Sequence, residues 1–194
     1  MAALSNQAIL DALRTGRLTI SPEPEYTTNG ADARFESDAV NLTLAPTLQI
    51  LRSGVTFDPS RERITDVLRT NTDEVILDED HPYTVAPGTC LLAMTAERIT
   101  LPSDVGKKQK PLMGLIEGRS TLGRAFLTVH VTAPFIHNGT DHQIALEITN
   151  LGCWNVVLRK GMIIAQISFV ELLGQPNRRH GQFHGQSVPS GARR

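Results

Sequence analysis

The chain is poor in cysteine and in long hydrophobic runs, and each shortage excludes a class of protein. Only two cysteines, Cys90 and Cys153, occur in the 194 residues, which is too few for a disulfide framework or a cysteine-based metal knuckle. The longest apolar stretch, residues 162–173, is interrupted by polar side chains and is shorter than the roughly 20 apolar residues of a spanning helix. The sequence therefore predicts neither a disulfide-rich scaffold nor a membrane protein.

An excess of charge of one sign is also lacking. Lys and Arg total 19 and Asp and Glu total 20, so the net charge is −1. Binders of nucleic acid or of anionic membranes normally carry a strong basic excess, so we expect neither as a partner. Residues 1–14 lack the basic and apolar regions of a secretory signal peptide. These features together predict a cytoplasmic protein with reduced thiols.

Short apolar runs separated by turn residues make up most of the chain. Near the start, Ser5 is a candidate N-cap for a helix and Gly16 a candidate stop. The later runs recur roughly every 8–12 residues between Pro and Gly, which is typical of an all-β sandwich or barrel-like domain. Residues 23–38 and 58–74 are polar and predicted to be surface segments. We predict strands within residues 39–44, 48–51, 75–77, 90–94, 113–116, 128–132, 144–148, 156–158 and 162–170.

The segment 174–194 differs in composition from the rest of the chain. It holds four arginines and no acidic residue, which makes it +4 and leaves −5 on residues 1–173. Composition alone favours a disordered terminus. The alternative is a mobile arm that closes over an anionic ligand. We therefore divide the chain into one domain over residues 1–173 and a flexible C-terminal arm over residues 174–194.

The densest polar cluster is the run Glu117-Gly118-Arg119-Ser120-Thr121-Leu122-Gly123-Arg124, which lies between two predicted strands. A short helical turn here would present backbone N–H groups and a hydroxyl, and the two arginines would add charged donors. Such a combination binds anions. The alternative is a solvated loop in which Glu117 pairs with one of the arginines. The residues alone leave both interpretations open.

Glu147 is a carboxylate inside an otherwise apolar run, residues 144–148. Because successive side chains of a strand point to opposite faces, Glu147 should share a face with Ala145 and Thr149, away from the isoleucines and the leucine of the run. Glu147 then lies either on a solvent-exposed face of the sheet or in a pocket. In a pocket it could transfer a proton to and from a substrate.

The histidines do not form a metal-binding pattern. His137 and His142 flank an apparent hairpin turn, and turn polarity accounts for them better than a metal site does. His130, between two valines, is predicted to be a hydrogen-bonded strand histidine rather than a ligand. The sequence has no His-x-Glu followed by Pro-Cys-x-x-Cys, which excludes the zinc site of nucleoside deaminases. No protein-bound metal is therefore predicted.

Several segments, in order, resemble the dCTP deaminase family. The run 117–124 resembles the family signature E-G-R-S-S-L-A-R, with Thr121 for the second Ser and Gly123 for Ala. The segments Val129-His130-Val131-Thr132-Ala133 and Leu146-Glu147-x-x-Asn150 resemble the next two family segments at matching spacing. The likeness extends over nearly the whole chain, at residues 4–22, 87–102 and 160–166.

This resemblance implies a fold, an assembly and a reaction. The fold would be mainly β, a distorted dUTPase-like β-barrel (β-clip) with a short N-terminal helix. The assembly would be a homotrimer with sites between subunits. The reaction would be zinc-independent hydrolysis of dCTP to dUTP and ammonia, a step of dUTP and dUMP biosynthesis. Mg²⁺ would be bound through the triphosphate of the deoxynucleotide.

The resemblance also assigns roles by position. Glu147 would carry the proton between the attacking water and the departing amino group. Ser120 and the carbonyl of Ala133 would hold that water, and Arg124 would hold Glu147 and the water in place. Phosphates would bind at residues 119–121, and the backbone around Ala145 would read the base. The implied substrate-binding set is Arg119, Ser120, Thr121, Leu122, Gly123, Arg124, His137, Ala145, Leu146, Glu147, Gln182, Phe183 and Gln186.

Two segments depart from the family pattern. The hairpin His137-Asn138-Gly139-Thr140-Asp141-His142 stands where the family usually has Asp-Pro-Gly-Trp-x-Gly, so His137 replaces an acid that contacts the sugar. In the tail, the run Gln182-Phe183-His184-Gly185-Gln186 stands for K-Y-x-x-Q, with Gln182 for a phosphate-binding Lys. The substrate could therefore be a modified or differently phosphorylated cytosine nucleotide.

Three alternative functions follow from the same segments. A dUTP diphosphatase of this fold relies on a hairpin Asp to activate water, and His137 in that region disfavours it. A bifunctional enzyme would also split the dUTP that it makes. A catalytically silent nucleotide-binding relative is disfavoured because Arg119, Ser120, Arg124 and Glu147 are all present.

Overall fold

The computed structural model describes residues 2–30, 32–106, 109–177 and 188–191. In these residues the chain forms three short helices and twelve strands, and the mainly β class is as predicted. The helices are α1 (Asn6–Arg14), α2 (Ile64–Thr70) and α3 (Ser120–Arg124). The strands are β1 (Thr19–Ser21), β2 (Ala39–Thr43), β3 (Thr47–Leu51), β4 (Thr72–Ile76), β5 (Tyr83–Val85), β6 (Cys90–Thr100), β7 (Leu112–Gly118), β8 (Leu127–Thr128), β9 (Phe135–Ile136), β10 (Asp141–Asn150), β11 (Val156–Leu158) and β12 (Ile163–Glu171).

Helix α1 begins and ends where the sequence predicts. The Ser5 hydroxyl accepts a hydrogen bond from the Ala8 N–H at 3.4 Å, which caps the first turn. Gly16 follows the last turn with a φ of +68°, a conformation that glycine adopts at little cost. The helix buries Ile9 and Ala12 against the core.

Two antiparallel sheets supply most of the core. The larger sheet has the strand order β4-β3-β6-β10-β8, and β1 also pairs with β6. The four-stranded sheet has the order β2-β12-β7-β9, and β5 pairs with β11 in a separate ribbon. One hydrophobic cluster joins the sheets and includes Leu48, Leu91 and Leu146 from the larger one and Leu42, Ile116 and Ile167 from the smaller one.

Most predicted strands are confirmed, but the strand expected within residues 128–132 is wrong. Pairing of β8 with β10 involves only Leu127 and Thr128. Beyond Thr128 the chain bends away, and the Val131 N–H donates to a side chain instead of to a neighbouring strand. Apolar residues alternate there in the sequence, and this pattern indicated a strand. Such a pattern does not show whether the backbone has a neighbouring strand to pair with.

The polar segment 58–74 lies on the surface, as expected, because none of its residues is buried. It contains helix α2 and the start of β4. The helix was missed because none of its residues is buried, so it has no apolar stripe to detect. Strands β5 and β9 were also missed, and each is three residues or shorter.

The predicted C-terminal arm is described at residues 174–177 and 188–191. In the second stretch, the Gly191 N–H donates to the Val188 carbonyl and Ser190 is buried. The boundary at residue 173 stays a prediction. Among the described residues, no helix is long and apolar enough to cross a membrane.

Candidate active site

Glu147 lies in the middle of β10, on the face that the sequence predicts. Ile144, Leu146 and Ile148 are buried, whereas Glu147 is half-buried. Its Oε2 accepts a hydrogen bond from the Val131 N–H at 3.1 Å. Its Oε1 has no hydrogen-bond partner within the described part of the chain. The carboxylate is therefore held by one oxygen and open at the other.

The strand that carries Glu147 has an open edge beside it. On one side, β6 pairs with residues 145–147. On the other side, β8 pairs only with Thr149 and Asn150. Among the described strands, none covers this edge at residues 145–147. Unpaired backbone groups at a sheet edge can bind an incoming polar partner, as reading of a base by the backbone would require.

The polar run 117–124 adopts the predicted strand–turn–helix arrangement. Strand β7 ends at Gly118, Arg119 is extended at the N-cap, and α3 begins at Ser120. A Cβ at Gly118 would lie 3.2 Å from Val129 Cγ2, so this glycine allows the loop after β8 to approach closely. Helix α3 packs on β8, and β8 pairs with β10, which carries Glu147.

The donors of this run are available to a ligand. Ser120, Thr121, Gly123 and Arg124 are exposed, whereas Leu122 packs against the core. Within the described part of the chain, neither the two hydroxyls nor the Arg124 guanidinium forms a hydrogen bond or an ion pair. These donors thus remain free to bind an anion.

The alternative in which Glu117 pairs with one of the arginines is wrong. Glu117 Oε2 lies 2.9 Å from His130 Nε2, so His130 is hydrogen-bonded as predicted, although it lies in a loop and not in a strand. The Arg119 guanidinium lies 3.9 Å from Glu36, a residue that the sequence analysis did not single out. The sequence offered no signal for Glu36, because the contact joins segments far apart in the chain.

The structure puts His137 in the turn that leads from β9, in the smaller sheet, to β10, in the larger one. Its side chain is exposed, and its carbonyl accepts the Thr140 N–H at 3.1 Å. Asn138 fixes the turn by donating to the carbonyls of Pro102 and Leu112 at 3.0 and 3.2 Å. His137 is thus carried on a well-anchored hairpin.

The five other predicted residues differ in how far the structure describes them. Ala133 is exposed, two residues beyond Val131, in the loop that contacts Glu147. Leu146 points into the core, so only its backbone could contact a ligand. Gln182, Phe183 and Gln186 lie outside the described residues.

Sequence reasoning missed a buried carboxylate, Glu97, in the strand beside β10. It is 1% exposed and accepts hydrogen bonds from Arg34 and from the N–H and hydroxyl of Thr43. A signal was available, because Glu97 falls on the same alternating face of β6 as Leu91, Ala93 and Ile99.

A metal ion has no ready ligand set in residues 2–30, 32–106, 109–177 and 188–191. No group of three or more His, Cys, Asp or Glu side chains in these ranges could hold one.

Comparison with known proteins gives one consistent family. Residues 3–172 match the model of the family described as dCTP deaminase-like. The dCTP deaminase of Photorhabdus laumondii is 36% identical over 90% of this chain and 86% of its own length. The dCTP deaminase of Natronomonas pharaonis is 33% identical over 98% of this chain and 93% of its own.

A solved structure supports the fold. The 2'-deoxycytidine 5'-triphosphate deaminase of Agrobacterium tumefaciens superposes with a TM-score of 0.61 at 20% identity. The match covers 86% of this chain and 48% of that one, so the chain spans about half of that protein. The family match over residues 3–172, together with the full-length relatives, shows that the chain belongs to the dCTP deaminase-like family.

Proposed function

We propose that the chain hydrolyses dCTP to dUTP and ammonia without zinc. The observation that carries the proposal is Glu147, a half-buried carboxylate with one oxygen fixed by the Val131 N–H and the other open. A carboxylate held in this way can accept a proton from water and return it to a leaving group, which is the requirement of hydrolytic deamination.

In the proposed reaction, Glu147 takes up one proton and later returns it. Glu147 takes a proton from water, and the resulting hydroxide adds to C4 of the cytosine ring. Glu147 then returns the proton to the exocyclic nitrogen, the C4–N bond breaks, and ammonia leaves. Loss of the remaining hydroxyl proton to the ammonia or the solvent, with a ring nitrogen protonated, gives the uracil carbonyl.

We assign the other groups at the site by their match to the family segments. The Ser120 hydroxyl and the Ala133 carbonyl hold the water, and Arg124 holds Glu147 and the water in place. The open edge of β10 at Ala145 supports reading of the base through backbone groups. His137, on its anchored hairpin, faces the sugar in place of the acid that the family usually has.

The N-cap and first residues of α3, together with the arm, supply the phosphate contacts. Arg119, Ser120 and Thr121 bind the triphosphate, which brings Mg²⁺ with it. The arm, with Gln182, Phe183 and Gln186, closes over the nucleotide, and a homotrimer with sites between subunits completes the enzyme. Four arginines without an acidic residue support an anionic ligand for this segment.

The test is incubation of the purified chain with Mg²⁺ and, separately, dCTP, CTP or dUTP, with products separated by ion exchange and ammonia measured in parallel. We expect equal amounts of dUTP and ammonia from dCTP and no change in dUTP. Elemental analysis should find no stoichiometric zinc.

Other outcomes would select among the alternatives. Release of diphosphate from dUTP would identify a diphosphatase, and its release together with ammonia from dCTP would identify a bifunctional enzyme. Binding of dCTP without any product would identify a silent nucleotide-binding protein. Zinc that is required for turnover would contradict the proposed chemistry.

A further inference from the structure

The guanidinium of Arg119 faces a carboxylate without being hydrogen-bonded to it. Its Nη2 lies 3.9 Å from Oε1 of Glu36, which is beyond hydrogen-bond distance. Only a quarter of the Arg119 side chain is exposed. The charge of Glu36 can therefore hold the guanidinium in one place while its N–H donors stay available.

Glu36 is itself fixed from the buried side. Its Oε1 accepts a hydrogen bond from Asn41 Nδ2 at 3.1 Å, and the same nitrogen donates to the Ala33 carbonyl at 2.7 Å. Asn41 is completely buried in β2, opposite Gln166 of β12. A buried amide held within a sheet ladder gives Glu36 little freedom to move.

The segment that carries Glu36 is tied to the core by Arg34. The Arg34 guanidinium donates to the Asn41 carbonyl at 3.1 Å and to the buried carboxylate of Glu97. Glu97 in turn accepts hydrogen bonds from Thr43. A continuous chain of polar contacts thus runs from the core of the larger sheet, through Arg34 and Asn41, to Glu36.

We propose that Glu36 is a positioning residue that orients Arg119 before the triphosphate binds. The inference rests on the proposed function, since it takes Arg119 as a phosphate ligand. Ordering a long side chain during binding costs affinity, so an arginine already held in place avoids that cost. Because Glu36 makes no hydrogen bond to Arg119, the phosphate need not displace it. This arrangement differs from an ion pair that competes with the ligand.

The test is Glu36→Gln, which keeps the shape and an acceptor for Asn41 but removes the charge. We expect the KM for dCTP to rise about two- to ten-fold, as loss of one preordered side chain predicts, with kcat within about two-fold. Inhibition by deoxycytidine, which has no phosphate, should be unchanged. Glu36→Asp, which restores the charge, should recover part of the loss.

The matched control is Glu171→Gln. It removes a carboxylate from another arginine pair, with Arg17 at 2.7 Å, at the far end of β12. This variant should leave the KM for dCTP unchanged. An equal rise in KM in the control would mean a general structural effect and would overturn the inference. An unchanged or lower KM in Glu36→Gln would overturn it as well, and a lower value would identify Glu36 as a competitor of the phosphates.

Binding measured without turnover separates this inference from the proposed function. Calorimetry with dCTP and Mg²⁺ in a Glu147→Gln background should show the same two- to ten-fold loss for Glu36→Gln. If the wild-type chain binds dCTP but releases no ammonia, the proposed reaction is wrong. A loss of affinity in Glu36→Gln would then still support the positioning of Arg119 by Glu36. A chain that does not bind dCTP at all would overturn both.

Discussion

Two carboxylates in neighbouring strands of the larger sheet have opposite surroundings. Glu97 in β6 is 1% exposed, and both of its oxygens accept hydrogen bonds, from Arg34 and from Thr43. Glu147 in β10 is half-buried, and only Oε2 has a partner, the Val131 N–H. Both groups are carboxylates in the same sheet, but only Glu97 has hydrogen bonds to both of its oxygens.

This difference indicates which of the two carboxylates is available to take part in a reaction. Both oxygens of Glu97 are already hydrogen-bonded within the protein, so neither is free to bind water or a substrate. A carboxylate with one oxygen fixed and one open can exchange a proton and keep its orientation. Unused hydrogen-bonding capacity therefore distinguishes Glu147 from Glu97 better than the depth of burial does.

The largest effect is expected from Glu147→Gln. The amide has the same shape and can still accept the Val131 N–H, but it cannot take a proton from water. Ammonia release from dCTP should fall by about 10²–10⁴-fold, the usual contribution of a general acid–base group, while dCTP affinity stays within a few-fold. Steady-state ammonia assays and calorimetry measure the two quantities.

Glu74→Gln is the matched control for this change. Glu74 lies in β4 on the same sheet face as Glu147, in the row that runs through Gln49 and Leu92. Its removal should leave turnover unchanged. If Glu147→Gln keeps more than about a tenth of wild-type turnover, the proton-transfer role and the comparison with Glu97 are both wrong.

Glu97→Gln should instead affect stability. Loss of the charge leaves Arg34 without its ionic partner and turns an amide donor toward the Thr43 N–H. Breaking a buried ion pair costs about 3–5 kcal/mol, and we expect about 3 kcal/mol here because Arg34 is partly exposed. Urea unfolding at a fixed protein concentration measures it.

The exposed pair of Arg52 and Asp73 provides the contrast, since both side chains are more than half exposed. Asp73→Asn should cost much less than Glu97→Gln, because solvent screens an exposed ion pair. A cost for Glu97→Gln that does not exceed this control would mean that burial adds nothing to the Glu97 network.

The sequence predicted much of the fold and the local structure around Glu147 and Ser120. Alternation located the strands that form the core and correctly put Glu147 on the half-exposed face of β10. The run 117–124 gave the strand–turn–helix arrangement around Ser120. These features are local, so spacing along the chain is enough to find them.

The contacts that arrange the site were not predicted because they join distant segments. Glu36 faces Arg119, and His130, rather than an arginine, pairs with Glu117. The loop at Val131 looked like a strand because apolar residues alternate in its sequence, although Val131 is exposed and its backbone turns to reach Glu147. Sequence patterns report burial and local conformation, whereas partner choice depends on how the sheets pack.

The smallest expected effect concerns Asp141, a third carboxylate, which is paired like Glu97 but about half exposed, as is its partner Arg98. Hydrogen bonds from Arg98 and Thr100 lower the pKa of Asp141 to about 2. Because the folded pKa lies below the unfolded one, the pair stabilises the fold above about pH 4, and this stabilisation is lost as the pH falls toward 2. Solvent screening limits this stabilisation to about 0.5–1 kcal/mol.

Asp141→Asn should therefore lower the unfolding free energy by about 0.5–1 kcal/mol at pH 7 and by progressively less below pH 4. The control Asp80→Asn, at an exposed site, should have no effect. Unfolding followed in urea at several pH values, with and without 1 M salt, measures the difference. A loss near 3 kcal/mol would mean that exposure does not weaken the pair, and burial would then no longer explain why Glu97 matters more.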